Sequence, residues 1–141
     1  MSLIVFIHIL AAGFWLGCVA VEVVLERSRG GRDVAKKRLV ADYHVTVDQW
    51  IEIPTFMVLL VTGVIMLDMD RLAGWYLVKV VCGTTVVALN AWCAVLVRQR
   101  PHIADDEHFF AAYSQISRRI DLTAYLGAPF AIAAVWLGFS L

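Results

Sequence analysis

The sequence predicts an all-α protein, an integral membrane four-helix bundle with both termini on the outer, periplasmic side. Three observations carry this. Hydrophobic residues make up 61% of the 141 residues, against roughly 45–50% in soluble domains. The apolar residues gather into four runs, each able to supply the roughly 20 residues of a membrane-spanning helix. The basic residues gather in alternate connections, a bias that orients a membrane protein more strongly than its net charge of zero does. The chain has room for a single transmembrane domain and no soluble one.

The first span is expected over about residues 3–25. It lacks a charged leading segment and a small-x-small cleavage site, so it reads as a mature helix rather than a signal peptide. Six basic residues follow between Arg27 and Arg38, with Gly30-Gly31 marking the turn. By the positive-inside rule this loop is cytoplasmic. An amphipathic cytoplasmic extension over 36–50 leads into the second span, about 50–68. Pro54 either occupies the first turn of that span or kinks one long helix, because it has no N–H to return to Trp50. Asp68-Met69-Asp70-Arg71 turns the chain outside. The third span covers about 74–97 and is stopped by Arg98-Gln99-Arg100-Pro101. A polar stretch containing His102, Asp105, Asp106, Glu107 and His108 precedes a short surface helix around 108–117. The fourth span covers about 120–141, with a kink at Pro129. Trp75, Tyr76 and Trp136 fit an outer aromatic belt, with a core-facing position as the alternative for Trp136. Cys18, Cys82 and Cys93 all lie in apolar runs without CxxC spacing and read as core residues. A faint internal repeat relates the stretch from Val47-Asp48 to Pro54 to the one from Ile120-Asp121 to Pro129. It would make the first and second pairs of spans parallel repeats.

Ionisable side chains are costly inside a membrane, so those within the spans are the candidate functional residues. His8, Trp15 and Glu22 recur at two-turn spacing and share one stripe of the first helix. His8, Lys79 and Met66 fall at similar depth toward the outer side. His44, Asp48 and Glu52, at i, i+4 and i+8, share a face toward the inner side with Glu22. Two acids and a histidine on one stripe suit a metal or a proton-handling site. His8 reads as an axial ligand to heme iron or another metal ligand, or as a neutral imidazole bonded to a neighbouring helix. His44 lies at the opposite depth, so the partner of a heme at His8 is expected to be Met66, Lys79, water or nothing, unless a second chain brings another His8.

The run from His8 to Gly17 (His-Ile-Leu-Ala-Ala-Gly-Phe-Trp-Leu-Gly) resembles the first-helix pattern of HemJ-type protoporphyrinogen oxidases and of CopD-type copper-resistance membrane domains. Gly74-Trp75-Tyr76-Leu77-Val78-Lys79 resembles the start of the third HemJ-type span. The resemblance implies heme b at His8 with Lys79 nearby. The expected function is thus a heme-binding redox protein of the bacterial inner membrane, oxidising a porphyrinogen or passing electrons to quinone or a partner chain. Its cofactor-contacting residues are His8, Trp15, Lys79 and Met66, with Lys79, Asp48 and Glu52 handling protons and His8 and His44 as metal ligands. The alternatives are copper handling through His8, Met66 and Met69, and an accessory subunit of a homo-oligomer or larger membrane complex. The lipid bilayer is the expected surrounding, and no nucleic-acid partner is expected.

Overall fold

Two short polar side chains set where the first two helices begin. Ser2 Oγ accepts the Val5 N–H at 3.4 Å and starts α1, Leu3–Ser28. Asp33 Oδ1 accepts the Lys36 N–H at 3.2 Å and starts α2. Between them the chain reverses at Gly31, whose φ of +88° is open to glycine without strain. In this computed structural model, which describes residues 2–104 and 107–140, α2 runs without a break from Val34 to Ile65. The amphipathic extension and the second span are therefore one long helix. α3 follows at Gly74–Gln99 and α4 at Phe109–Ser140, with short 3₁₀ turns at Met69–Arg71 and Arg100–His102. No strand occurs among the described residues. The surface helix expected near 108–117 is the first part of α4. Asp105 and Asp106, in the expected polar loop, and Leu141, at the end of the fourth span, lie outside the described residues.

All four helices are long and apolar enough to cross a membrane. At about 1.5 Å per residue, α2 and α4 reach about 48 Å, well beyond a hydrocarbon core of about 30 Å. Their polar N-terminal turns account for the excess.

The chain divides into two compact units, residues 1–67 and 68–141, each built on one helix pair. In unit 1 the buried face of α1 is Ala11, Trp15, Cys18, Glu22 and Glu26, a single stripe at helical spacing. Facing it on α2 are Val40, Ala41, His44, Asp48, Glu52 and Thr62. The outside of the same helices is apolar, with Phe14, Val24, Val61 and Ile65 all exposed. Polar inside and apolar outside is the pattern that lipid, as solvent, selects.

The two units share a register. α1 and α3 both have 26 residues, and α2 and α4 both have 32. Ala11, Trp15 and Glu26 correspond to Cys82, Val86 and Val97, all buried. Pro54 corresponds to Pro129 and Gly63 to Gly138. The glycines face equivalent residues: a Cβ on Gly63 would meet His8 Cε1 at 3.5 Å, and one on Gly138 would meet Lys79 Cε at 3.7 Å. His8 and Lys79 are thus counterparts. Arg29 and Arg100 are counterparts too. Arg29 pairs with Glu26, whereas Arg100, 1% exposed, stacks over the Tyr113 ring at 5.6 Å and donates to Ser117 Oγ. The sequence repeat noted around the two prolines therefore extends over both units.

One difference interrupts the correspondence. Asp48–Glu52 forms a π-helical turn, in which the Ile53 N–H returns to Asp48 O. A π turn holds one more residue than an α turn. Before it, the buried positions match one residue further on: Ala41 with Ser117, and His44 with Ile120. Pro54 follows immediately, where its missing N–H breaks no bond that the π turn has kept.

Replacing Gly63 by leucine is expected to displace the His8 ring and to destabilise unit 1 by about 1–3 kcal/mol. Alanine should be tolerated, its Cβ meeting His8 at ordinary contact distance. Unfolding midpoints in mixed micelles would distinguish the two.

Candidate cation site

The π turn places the acids of α2. Each four-residue step along an α-helix rotates about 40° past a full turn, so Glu52 would lie about 80° round from His44. The wider turn through 48–52 brings it back, and His44, Asp48 and Glu52 all become buried against α1.

His44 is the centre of the cluster and is 2% exposed. Its Nδ1 lies 2.6 Å from Glu26 Oε1, and a ring N–H there donates to that carboxylate. Glu26 is held in turn by Arg29. With Nδ1 committed to Glu26, the ring directs Nε2 toward Glu22 Oε2 at 3.5 Å and Asp48 Oδ1 at 3.9 Å. One ligand atom each from Glu22, His44 and Asp48 lies within 4.8 Å of the others, and all three residues are buried. Glu22 Oε1 and Asp48 Oδ2 are buried with no hydrogen-bond partner among the described residues. Glu52 neighbours both carboxyls, and the Trp15 indole N–H holds its Oε1 at 2.9 Å.

Among the described residues, Glu22, Asp48 and Glu52 together meet one imidazole and one indole N–H. Burying several carboxylates near one another without compensating charge is strongly unfavourable. The arrangement therefore calls for a cation or for protons. The donors are carboxylate oxygens and one imidazole nitrogen, a set suited to Mn²⁺, Fe²⁺ or Zn²⁺ and poorly suited to Cu(I). A histidine that donates its second ring N–H to a carboxylate while directing the other nitrogen at a cation is the usual build of a metal-ligating imidazole.

The remaining expected residues are placed elsewhere. His8 Nδ1 lies 2.8 Å from Thr62 Oγ1. The Thr62 hydroxyl donates its own proton to Val58 O at 2.7 Å, so His8 Nδ1–H is the donor of that pair. The imidazole is thus bonded to a neighbouring helix, and any metal bond would form at Nε2. Trp15 turns its polar edge to Glu52 and its ring to Phe56, at 6.3 Å between centroids. Met66 caps the C-terminus of α2, half-exposed. Lys79 belongs to unit 2 and lies along Gly138.

Two contributors carried little signal in the sequence. Glu26 lies four residues after Glu22 on the same stripe, but its neighbour Arg27 makes it resemble the polar end of a span. Thr62 sits alone in an apolar run.

Replacing Trp15 by phenylalanine should leave Glu52 Oε1 without its donor and cost about 1–3 kcal/mol. Thr62→Val should cost about 0.6 kcal/mol, the average of a hydrogen bond between membrane helices. Chemical unfolding of the purified variants in micelles measures both.

No curated protein and no solved structure matches this chain. A family model described as a predicted integral membrane protein (DUF2269) matches residues 2–140. That span includes all four of the long apolar helices and the polar α1–α2 seam of unit 1. The chain belongs to this family of integral membrane proteins.

Proposed function

We propose that this protein binds a divalent cation of the first transition row within the membrane, with Glu22, His44 and Asp48 as ligands and Glu26 as the residue that orients His44. The observation that carries this reading is the convergence of three buried ligand atoms within 4.8 Å, two of the carboxyls each keeping an oxygen without a hydrogen-bond partner. Glu52, fastened to Trp15, stands beside the ligands rather than among them. The six basic residues between Arg27 and Arg38 support placing this end of α1 in the cytoplasm of a bacterial inner membrane.

The test is metal content and affinity of the detergent-purified protein, by elemental analysis and titration with Mn²⁺ or Zn²⁺. The expected result is about one ion per chain, the number one triad holds. Glu22→Gln, His44→Ala and Asp48→Asn should each abolish it. Glu26→Gln should retain the site with affinity lowered about 10–100-fold, because it loosens only the ring that Glu26 orients. A metal concentration 100 times Kd should stabilise the wild type by about 2.7 kcal/mol and leave Asp48→Asn unchanged. A folded wild type that takes up no ion would remove the reading.

A second reading is favoured by a separate observation. His8 donates Nδ1–H to Thr62, which fixes the ring so that an iron bond would form at Nε2. This supports the heme b site implied by the HemJ-type resemblance, with porphyrin or quinone chemistry following from it. Oxidised and dithionite-reduced absorption spectra test it. A Soret band with reduced α and β bands, lost in His8→Ala, is the expected signature, and a colourless protein from heme-replete cells excludes it. Copper handling has less support, because the buried donor set contains no thioether and Met69 is 69% exposed.

A further inference from the structure

The polar contacts of unit 1 do not end at the cation site. They continue along the whole α1–α2 seam as a series of rungs. Arg29 meets Glu26, and Glu26 meets His44. His44 faces Glu22 and Asp48. Trp15 meets Glu52, and His8 meets Thr62. From Glu26 to His8 the rungs cover about 27 Å of helix, close to the hydrocarbon thickness of a bilayer. The α1 residues that face the seam between the upper rungs are small: Ala11 between His8 and Trp15, and Cys18 between Trp15 and Glu22.

Unit 2 shows that such rungs are not needed to hold two helices of this kind together. It has the same helix lengths, the same proline and the same glycine contact. Yet the counterparts of Trp15, Glu22, Glu26, His44, Glu52 and Thr62 are Val86, Cys93, Val97, Ile120, Gly127 and Leu137. The pair packs without these six side chains and keeps polar counterparts only at the ends of the line, Lys79 for His8 and Arg100 for Arg29. Polar groups retained against the cost of burial in lipid mark an ion pathway more readily than a structural seam. The π turn belongs to the same argument, since among the described residues it occurs only where Asp48 and Glu52 both face the seam.

We infer that unit 1 is a translocation pathway for the divalent cation, running along the α1–α2 seam from the Glu22/His44/Asp48 site past Glu52 to His8. This rests on the metal-binding reading and adds movement to it. Trp15 is the constriction. Its indole holds Glu52 and its ring rests on Phe56, so passage requires Glu52 to release the indole and turn to the ion. The ligands become fewer along the path, from a three-residue site to one carboxylate to one imidazole. A pathway conducts when its sites are numerous and individually weak enough to release the ion.

The experiment uses full-length protein in liposomes loaded with a fluorescent Zn²⁺ indicator. Zn²⁺ is added outside, with valinomycin and K⁺ to prevent charge build-up, and with and without a pH gradient. Bound Zn²⁺ per chain is measured on the same preparations. Wild-type vesicles should fill at least about 10-fold faster than protein-free ones, a modest rate for a multi-site path. His8→Gln should cut the flux about 10-fold while retaining the bound ion, which also shows that the variant is folded, and Glu52→Gln should cut the flux at least as far. Bound Zn²⁺ with no flux above protein-free vesicles, under either gradient, would overturn the pathway and leave the binding site standing. Absence of both binding and flux would overturn the binding reading and the pathway with it. Flux unchanged in both variants would overturn the assigned route.

Discussion

Three carboxyl groups packed around one imidazole, in helices whose outer faces require lipid, are the constraint on which the rest of unit 1 depends. Carboxylates in such a place have to be matched by hydrogen bonds, by opposite charge or by a bound cation. The chain supplies the first two sparingly. Trp15 donates to one oxygen of Glu52, and His44 lies between Glu22, Glu26 and Asp48. Arg29 stabilises Glu26 rather than the inner acids. The direction of donation from His44 to Glu26 matters most, because it fixes which ring nitrogen faces the remaining carboxyls. Without Glu26 the imidazole could rotate, and Nε2 would no longer be held toward Glu22 and Asp48.

The second unit gives this constraint its meaning. Two helix pairs of equal lengths, with matching prolines and matching glycine contacts, solve the same packing problem with different side chains. Where unit 1 has glutamate, histidine and tryptophan, unit 2 has cysteine, valine, isoleucine and glycine. The one deeply buried charge among its described residues, Arg100, sits over an aromatic ring and beside a serine hydroxyl. Close packing and small residues suffice to associate helices in lipid. The polar stripe of unit 1 is an addition to that scaffold, so its explanation has to come from what it holds.

Much of this was legible in the sequence, for identifiable reasons. Four apolar runs separated by charged connections define four spans because the bilayer imposes a length on each. The common face of His44 and Asp48 was legible from i, i+4 spacing, and Glu22 from its place two turns beyond Trp15, whereas Glu52 is brought fully onto that face only by the π turn. Helix continuity was harder to read. Hydropathy falls in 36–50 and again before Ile120, yet backbone hydrogen bonding carries both helices through, because leaving the bilayer does not oblige a helix to stop. Thr62 was hidden because a lone hydroxyl in an apolar run has no period. The pairing of Trp15 with Glu52 was hidden because it depends on which face the π turn presents, and spacing alone assumes a uniform helix.

That π turn is also the clearest separation of cause from accompaniment in the molecule. Proline follows it at once, and proline alone would be a sufficient explanation if it stood in only one helix. The counterpart Pro129 stands inside α4, which remains α-helical throughout. The proline therefore permits the irregularity without requiring it. What differs between the two helices is the pair of acids on the seam, and the extra residue is what returns Glu52 to the line of His44 and Asp48. The local departure from regular geometry goes with the line of acids and imidazole, which is absent among the described residues of the unit that has the regular helix.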